Sequence, residues 1–125
     1  MRLLIDIHVA IWLFNGDPTL DAHLLNVLED AQNELFISAA SIWEAEIKKA
    51  IGKLPWPDDA IFRLEAAGVK VLEMLTVDLI NAARLPVHHG DPFDRVIIAQ
   101  AQRHDLILVT WDRNIRKYDV RLHLA

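Results

Sequence analysis

Two short uninterrupted apolar runs, Leu3-Leu4-Ile5 and Leu106-Ile107-Leu108-Val109, stand near opposite ends of the chain. Runs of this length suit strands buried on both faces of a parallel sheet. Each leads to an acid: Asp6 directly, and Asp112 just past Thr110. Between them the apolar positions recur mostly at helical spacing. Leu24, Leu25 and Leu28 predict a helix within 21–32, and Leu35-Phe36-Ile37 a brief strand. Ser38 or Ser41 then caps a helix running to residue 50 and closed by Gly52. The stretch LPWPDD, residues 54–59, is a turn; a helix to residue 67, a strand over 69–72 and a helix over 77–85 follow. Asp91 as N-cap, Pro92 at the first position and Asp94 at the third start a further helix to residue 104. Tyr118, Val120 and Leu122 suggest an edge strand. Strands alternating with helices imply an α/β sheet covered on both faces.

Composition narrows the class. A chain of 125 residues, 53% hydrophobic and 25% charged, suits one globular domain over residues 1–125. Its apolar runs stop far short of the roughly 18 residues a membrane span requires. Asp6 also interrupts what would be the core of a signal peptide. The expectation is a cytoplasmic protein without a membrane partner. With no cysteine, disulfides, thiolate zinc sites and cysteine nucleophiles are excluded. The net charge of −5 argues against duplex binding through a large basic face. Yet the charge is uneven: residues 1–34 hold one Arg against six acids, and residues 103–125 hold five basic residues against three acids. The basic end either guides a polyanion or is a solvated surface.

In open parallel sheets, ligands sit outside the carboxyl ends of the strands, where strand order reverses. If the first and last apolar runs are neighbouring strands, Asp6 and Asp112 share that end, and Asp94 points toward them from the first turn of its helix. Glu44, one turn into the helix after residue 38, is the fourth candidate. Each acid also has a separate reading. Asp6, Asp91 and Asp112 are placed to cap helices, Asp94 to meet a helix dipole, and Glu44 to face solvent. Capping does not account for several acids at one end of a sheet. Like charges that close raise one another's pKa, and a divalent cation removes the penalty. An oxygen-only donor set favours Mg²⁺ or Mn²⁺ over zinc.

With these residues in view, the chain resembles a known family. LLIDIHVAIWLF, SAASIWEAEIKKAIGKL, GDPFDRVIIAQAQ and LILVTWDRNIRKYDV, in that order, are similar to a PIN-domain ribonuclease of the VapC toxin type. The resemblance spans nearly the whole chain. It implies a three-layer α/β/α sandwich around a central, mostly parallel sheet. The implied activity is metal-dependent endoribonuclease cleavage of RNA, and the implied setting a toxin–antitoxin pair: a homodimer neutralised by a small cognate antitoxin. By position, the family's acidic constellation, catalytic and metal-binding, falls on Asp6, Glu44, Asp94 and Asp112. Asp91, in the DPFDR signature, and Thr110, beside the fourth acid, are the groups expected to hold the ligands in place. Ile7 stands where many relatives have Thr, and Trp111 where a basic residue is common. The second departure leaves Arg113, Arg116 and Lys117 as phosphate contacts. Hydrolysis by a metal-bound water leaves a 5′-phosphate and a 3′-hydroxyl.

The remaining aromatic and histidine residues are assigned from spacing. Trp12 and Trp43 fall on apolar helical faces and read as core. Trp56 is a packing or partner contact, part of a groove over residues 39–67 for an amphipathic antitoxin segment. Trp111 either stacks on an unpaired base or covers the sheet edge. His88 and His89 sit in a loop near the site and read as solvent or RNA contacts. A haloacid-dehalogenase-like site needs a second Asp two positions after the first, where this chain has His8. The alternative function is a catalytically inactive PIN-like protein-binding module.

Overall fold

The computed structural model describes residues 1–88 and 90–124. Strand β1 (Arg2–Ile5) is followed by helices α1 (Ile7–Asn15) and α2 (Ala22–Glu29), then β2 (Glu34–Ser38). Helices α3 (Ala39–Ala50) and α4 (Ala60–Ala66) lead to β3 (Val69–Leu72). Helices α5 (Thr76–Arg84) and α6 (Pro92–His104) lead to β4 (Ile107–Thr110). A 3₁₀ turn, Arg113–Lys117, precedes β5 (Leu122–Leu124). The five strands lie in the order β3-β2-β1-β4-β5, and each neighbouring pair is parallel.

The apolar runs become the centre of the sheet because they supply side chains to both faces. Leu3 and Ile5 pack on one side with Val9, Leu24, Leu28, Trp56 and Leu64 from α1, α2 and α4 and the turn before α4. Leu4, Phe36 and Leu108 pack on the other with Ile97, Ile98 and Ala101 of α6. This is the three-layer α/β/α sandwich expected, with period-two alternation choosing the layer. The last strand differs at its edge, and the structure chooses between the two caps offered for α3. The last strand begins at Leu122, because Ile115 and Tyr118 are drawn into the core below α6 instead. Ser38, not Ser41, caps α3, its side chain accepting from the Ala40 amide.

The chain leaves β1 toward β2 and β3 on one side, then returns across the sheet through α5 and α6 to β4 on the other. Strand order therefore reverses at β1. A buried staple fixes the returning pair of helices. Asp78 of α5 is fully buried. Its carboxylate accepts from Arg103 Nε at 2.6 Å, Arg103 Nη2 at 3.0 Å, Gln100 Nε2 at 3.3 Å and the Leu75 amide at 3.0 Å. Arg95 completes the clamp by donating to the carbonyls of Leu85 at 2.9 Å and Pro86 at 3.1 Å, at the end of α5. The Arg of the DPFDR signature thus ties helix ends together.

Burial alone would raise the pKa of Asp78, but the bonds from Arg103, the Leu75 amide and Gln100 outweigh it and hold the carboxyl below its ordinary value. Its native pKa being lowered, the pair stabilises the fold above the ordinary carboxylate pKa, and that stability is lost as pH falls through the native value. Asp78→Ala is expected to cost about 3–5 kcal/mol in urea melts at pH 7, by stranding Arg103 and Gln100. The gap between variant and wild type should narrow below about pH 4. An equal gap at pH 7 and pH 3 would show that the charge of Asp78 contributes nothing.

Candidate active site

Three helical N-termini and two strand ends meet where strand order reverses. Asp6 leaves β1 and caps α1, its Oδ1 accepting from the Val9 amide at 2.9 Å. Its Oδ2 accepts from the Trp111 amide at 3.0 Å, beyond the end of β4. Capping and site-building are therefore one role here. Because both oxygens accept from N–H groups, an Asn at position 6 would turn its own N–H₂ toward a donor. Asp112 follows β4 and caps the 3₁₀ turn, accepting from the Asn114 amide at 2.9 Å. Its amide donates to Thr110 Oγ1 at 3.0 Å, so Thr110 orients the backbone of Asp112. Asp91 caps α6 by accepting from the amides of Phe93 at 2.9 Å and Asp94 at 3.1 Å.

Glu44 comes from α3 with an inverted pattern. The buried stripe of that helix is Ala40, Ser41, Glu44 and Ala45, while Trp43 is 57% exposed. Trp43 is thus not a core residue. It lies to one side of the stripe, edge-on to the Phe93 ring with centroids 5.3 Å apart. Trp12 is half-buried against the core as expected. Glu44 is only 7% exposed, and its Oε2 accepts from Lys48 Nζ at 2.6 Å. That hydrogen bond is the main cause holding the Lys48 pKa above its ordinary value, with Asp91 and Asp94 adding to it against the opposing effect of burial.

Asp6, Glu44, Asp91, Asp94 and Asp112 line one open cavity of about 490 Å³, with Ser41, Lys48, Trp111 and Arg113 among its other walls. Asp94 registers the crowding. Burial first, then the charges of Asp91, Glu44, Asp112 and Asp6, push its pKa up to about 8. A proton is held where a cation would neutralise the same cluster, and every acid offers hard oxygen, so the donor set fits Mg²⁺ or Mn²⁺. The acids are spread over the cavity walls. Among the described residues no group of three or more His, Asp or Glu side chains is gathered into a ready metal centre.

Of the other expected residues, Trp111 is 53% exposed at the cavity wall, edge-on to Trp12 with centroids 5.2 Å apart. Arg113 lines the cavity, whereas Arg116 and Lys117 lie further along the 3₁₀ turn and do not. His88 packs edge-on against Tyr118 at 4.7 Å, outside the cavity walls; His89 lies outside the described residues. Trp56 is 2% exposed and packs on Phe14, so it offers no partner contact. Sequence reasoning missed His8, Ser41 and Lys48 as cavity walls. Only Lys48 carried a signal, its spacing of four from Glu44.

Comparison with known proteins agrees with this geometry. The profile of the PIN domain matches residues 3–121. The chain belongs to the PIN-domain family. Ribonuclease VapC22 of Mycobacterium tuberculosis (strain ATCC 25618 / H37Rv) is 33% identical over 124 residues, covering 93% of this chain and 91% of the relative. Among solved structures, VapBC2 from Rickettsia felis bound to a DNA fragment from its promoter superposes with a TM-score of 0.73 at 14% identity, covering 99% of this chain and 98% of that one. VapBC-1 from nontypeable Haemophilus influenzae gives 0.63 at 19% identity over 99% and 98%. FitAB bound to an IR36 DNA fragment gives 0.64 at 18% over 98% and 94%. These likenesses establish the fold: this PIN domain places its acids at the carboxyl end of a parallel sheet.

The raised pKa of Asp94 has a stability consequence. The folded protein keeps the proton up to about pH 8, whereas the unfolded chain releases it near its ordinary value of 3.8. The contribution of Asp94 is therefore fully present below about pH 4 and is lost as pH rises through 8. Asp94→Asn removes that loss. With chelator present, the variant should melt at least about 3–6 °C above wild type at pH 8, a difference on the order of 1 kcal/mol. The two proteins should converge near pH 4. Parallel melting curves across that range would mean that Asp94 does not feel the other acids.

Proposed function

We propose that this PIN domain, a single domain over residues 1–125, is an endoribonuclease toxin that hydrolyses phosphodiester bonds in RNA with Mg²⁺ or Mn²⁺. The carrying observation is that Asp6, Glu44, Asp91, Asp94 and Asp112 line one cavity where the strand order of a parallel sheet reverses, so that burial and the neighbouring acids raise the pKa of Asp94. Support comes from the 33% identity to a relative named a ribonuclease. An intact set of acids disfavours the inactive binding module.

Asp6, Glu44, Asp94 and Asp112 would hold the metal. When bound there, it would lower the pKa of a coordinated water and offset charge on the phosphoryl oxygens. The residues of the chain supply the rest. Asp6, fixed by two amides, and Asp112, fixed through Thr110, present carboxylates that need no reorganisation. Asp94 would have to release its proton to solvent to serve as a ligand, so metal affinity is expected to rise with pH. Arg113, with Arg116 and Lys117 beyond it, lies on the side where a phosphate backbone would pass. Trp111 offers an exposed ring on which an unpaired base can stack.

The partner reading rests on solved neighbours that are toxin–antitoxin complexes, among them one from Klebsiella pneumoniae. We place a small antitoxin against a second concavity of about 840 Å³, where Leu13, Phe14, Leu28 and Phe62 sit beside Glu29 and Asp30. Phe62 is 72% exposed there. This groove, formed by α1, α2 and α4, replaces the one around Trp56. A homodimer is supported by exposed apolar rows on α3 (Trp43, Ile47) and α5 (Val77, Leu79, Ile80). Among the described residues no helix is long and apolar enough to cross a membrane, and we assign the protein to the cytoplasm.

The test is cleavage of single-stranded RNA by purified protein. Activity should require Mg²⁺ or Mn²⁺, vanish with chelator and leave 5′-phosphate ends. Asp94→Asn and Asp112→Asn should each lose about 100-fold or more. Asp94→Asn is the more telling variant, since it should lose activity while gaining stability. Full cleavage in chelator, or by either variant, would overturn the assignment.

A further inference from the structure

The acidic cavity contains a cation of its own. Lys48 reaches back one turn along α3, and its Nζ donates to Glu44 Oε2 at 2.6 Å. On a solvated helix face an ion pair of this spacing contributes little. This pair differs in two respects. The Glu44 side chain is only 9% exposed against 38% for Lys48, and the lysine lines the same cavity as Asp6, Asp91, Asp94 and Asp112. Arg113 shares that wall, and Lys48 is bonded to Glu44, one of the acids expected to take metal.

Building on the metal-dependent reading above, we propose that Lys48 is the resident counter-ion of the cavity, displaced from Glu44 by the incoming divalent cation and turned toward the scissile phosphate. An ammonium and a dication on one carboxylate repel each other, and the dication, carrying twice the charge, would hold the place. The lysine can yield because its stem is flexible and more than a third exposed. Its freed ammonium, a compact point charge on the cavity wall, suits a phosphate oxygen. Metal loading would then create a substrate contact, which couples the two binding events.

Acetylation of the full chain by acetic anhydride, read by mass spectrometry, tests the displacement. With Mg²⁺ or Mn²⁺ added, Lys48 should become several-fold more accessible, while Lys53 and Lys70 serve as unchanged references. Calorimetry gives an independent reading. Lys48→Met should bind Mn²⁺ on the order of 10-fold more tightly, and should bind a non-cleavable single-stranded RNA on the order of 10-fold less tightly in the presence of metal. Lys48→Arg should retain most of the RNA affinity. Unchanged acetylation of Lys48, or Mn²⁺ affinity in Lys48→Met no higher than in wild type, would overturn the proposal while leaving the metal reading in place. Failure of wild type and variant alike to bind Mn²⁺ would remove the metal reading, and the proposal with it.

Discussion

Mutual repulsion among five carboxylates around one cavity is the constraint that the surrounding structure answers. Gathering acids in a partly buried place is unfavourable by desolvation and by like charge, and Asp94 shows both. The fold offsets this with donors of fixed geometry. Asp6 faces two backbone amides, Asp91 two and Asp112 one, and Glu44 faces Lys48. These four acids are thereby held in their own positions.

The same donors explain why helix starts surround the site. Asp6, Asp91 and Asp112 are the N-caps of α1, α6 and the 3₁₀ turn. A helix N-terminus presents unsatisfied N–H groups and a partial positive charge. Turning three such ends toward one cavity supplies the electrostatic setting in which the carboxylates persist. Capping thus contributes to stability and to the site through the same bonds. The Asp78–Arg103 staple and the Arg95 clamp act at a distance from the chemistry. They secure α5 against α6, and so fix where the first turn of α6 delivers Asp94.

Helix α3 shows the conflict between site and solubility. Its buried stripe carries a glutamate, and its apolar Trp43 and Ile47 face outward. A helix serving the core alone would have the opposite pattern. Holding Glu44 at the sheet end requires that rotation, and the displaced apolar side chains become an exposed face. Under the proposed function that face meets a second copy of the chain.

The pattern of apolar runs by itself determined the α/β class, the buried parallel strands and the start of α6, because these follow from local periodicity and capping chemistry. The acids Asp6, Glu44, Asp94 and Asp112 were also legible, each placed at a strand end or in a helix at the same end of the sheet. Whether they capped helices or built a site could not be decided locally, since the bond from the Trp111 amide to Asp6 spans 105 positions of sequence. The rotation of α3 was equally hidden: its composition mixes Trp43, Glu44 and Ile47 on adjacent faces, and only packing against β2 and α6 selects the buried one. The burial of Trp56 depends on Phe14, far away in the chain. Spacing records which residues share a face of one element, whereas the charge field at Asp94 is a sum over four elements that only the folded chain brings together.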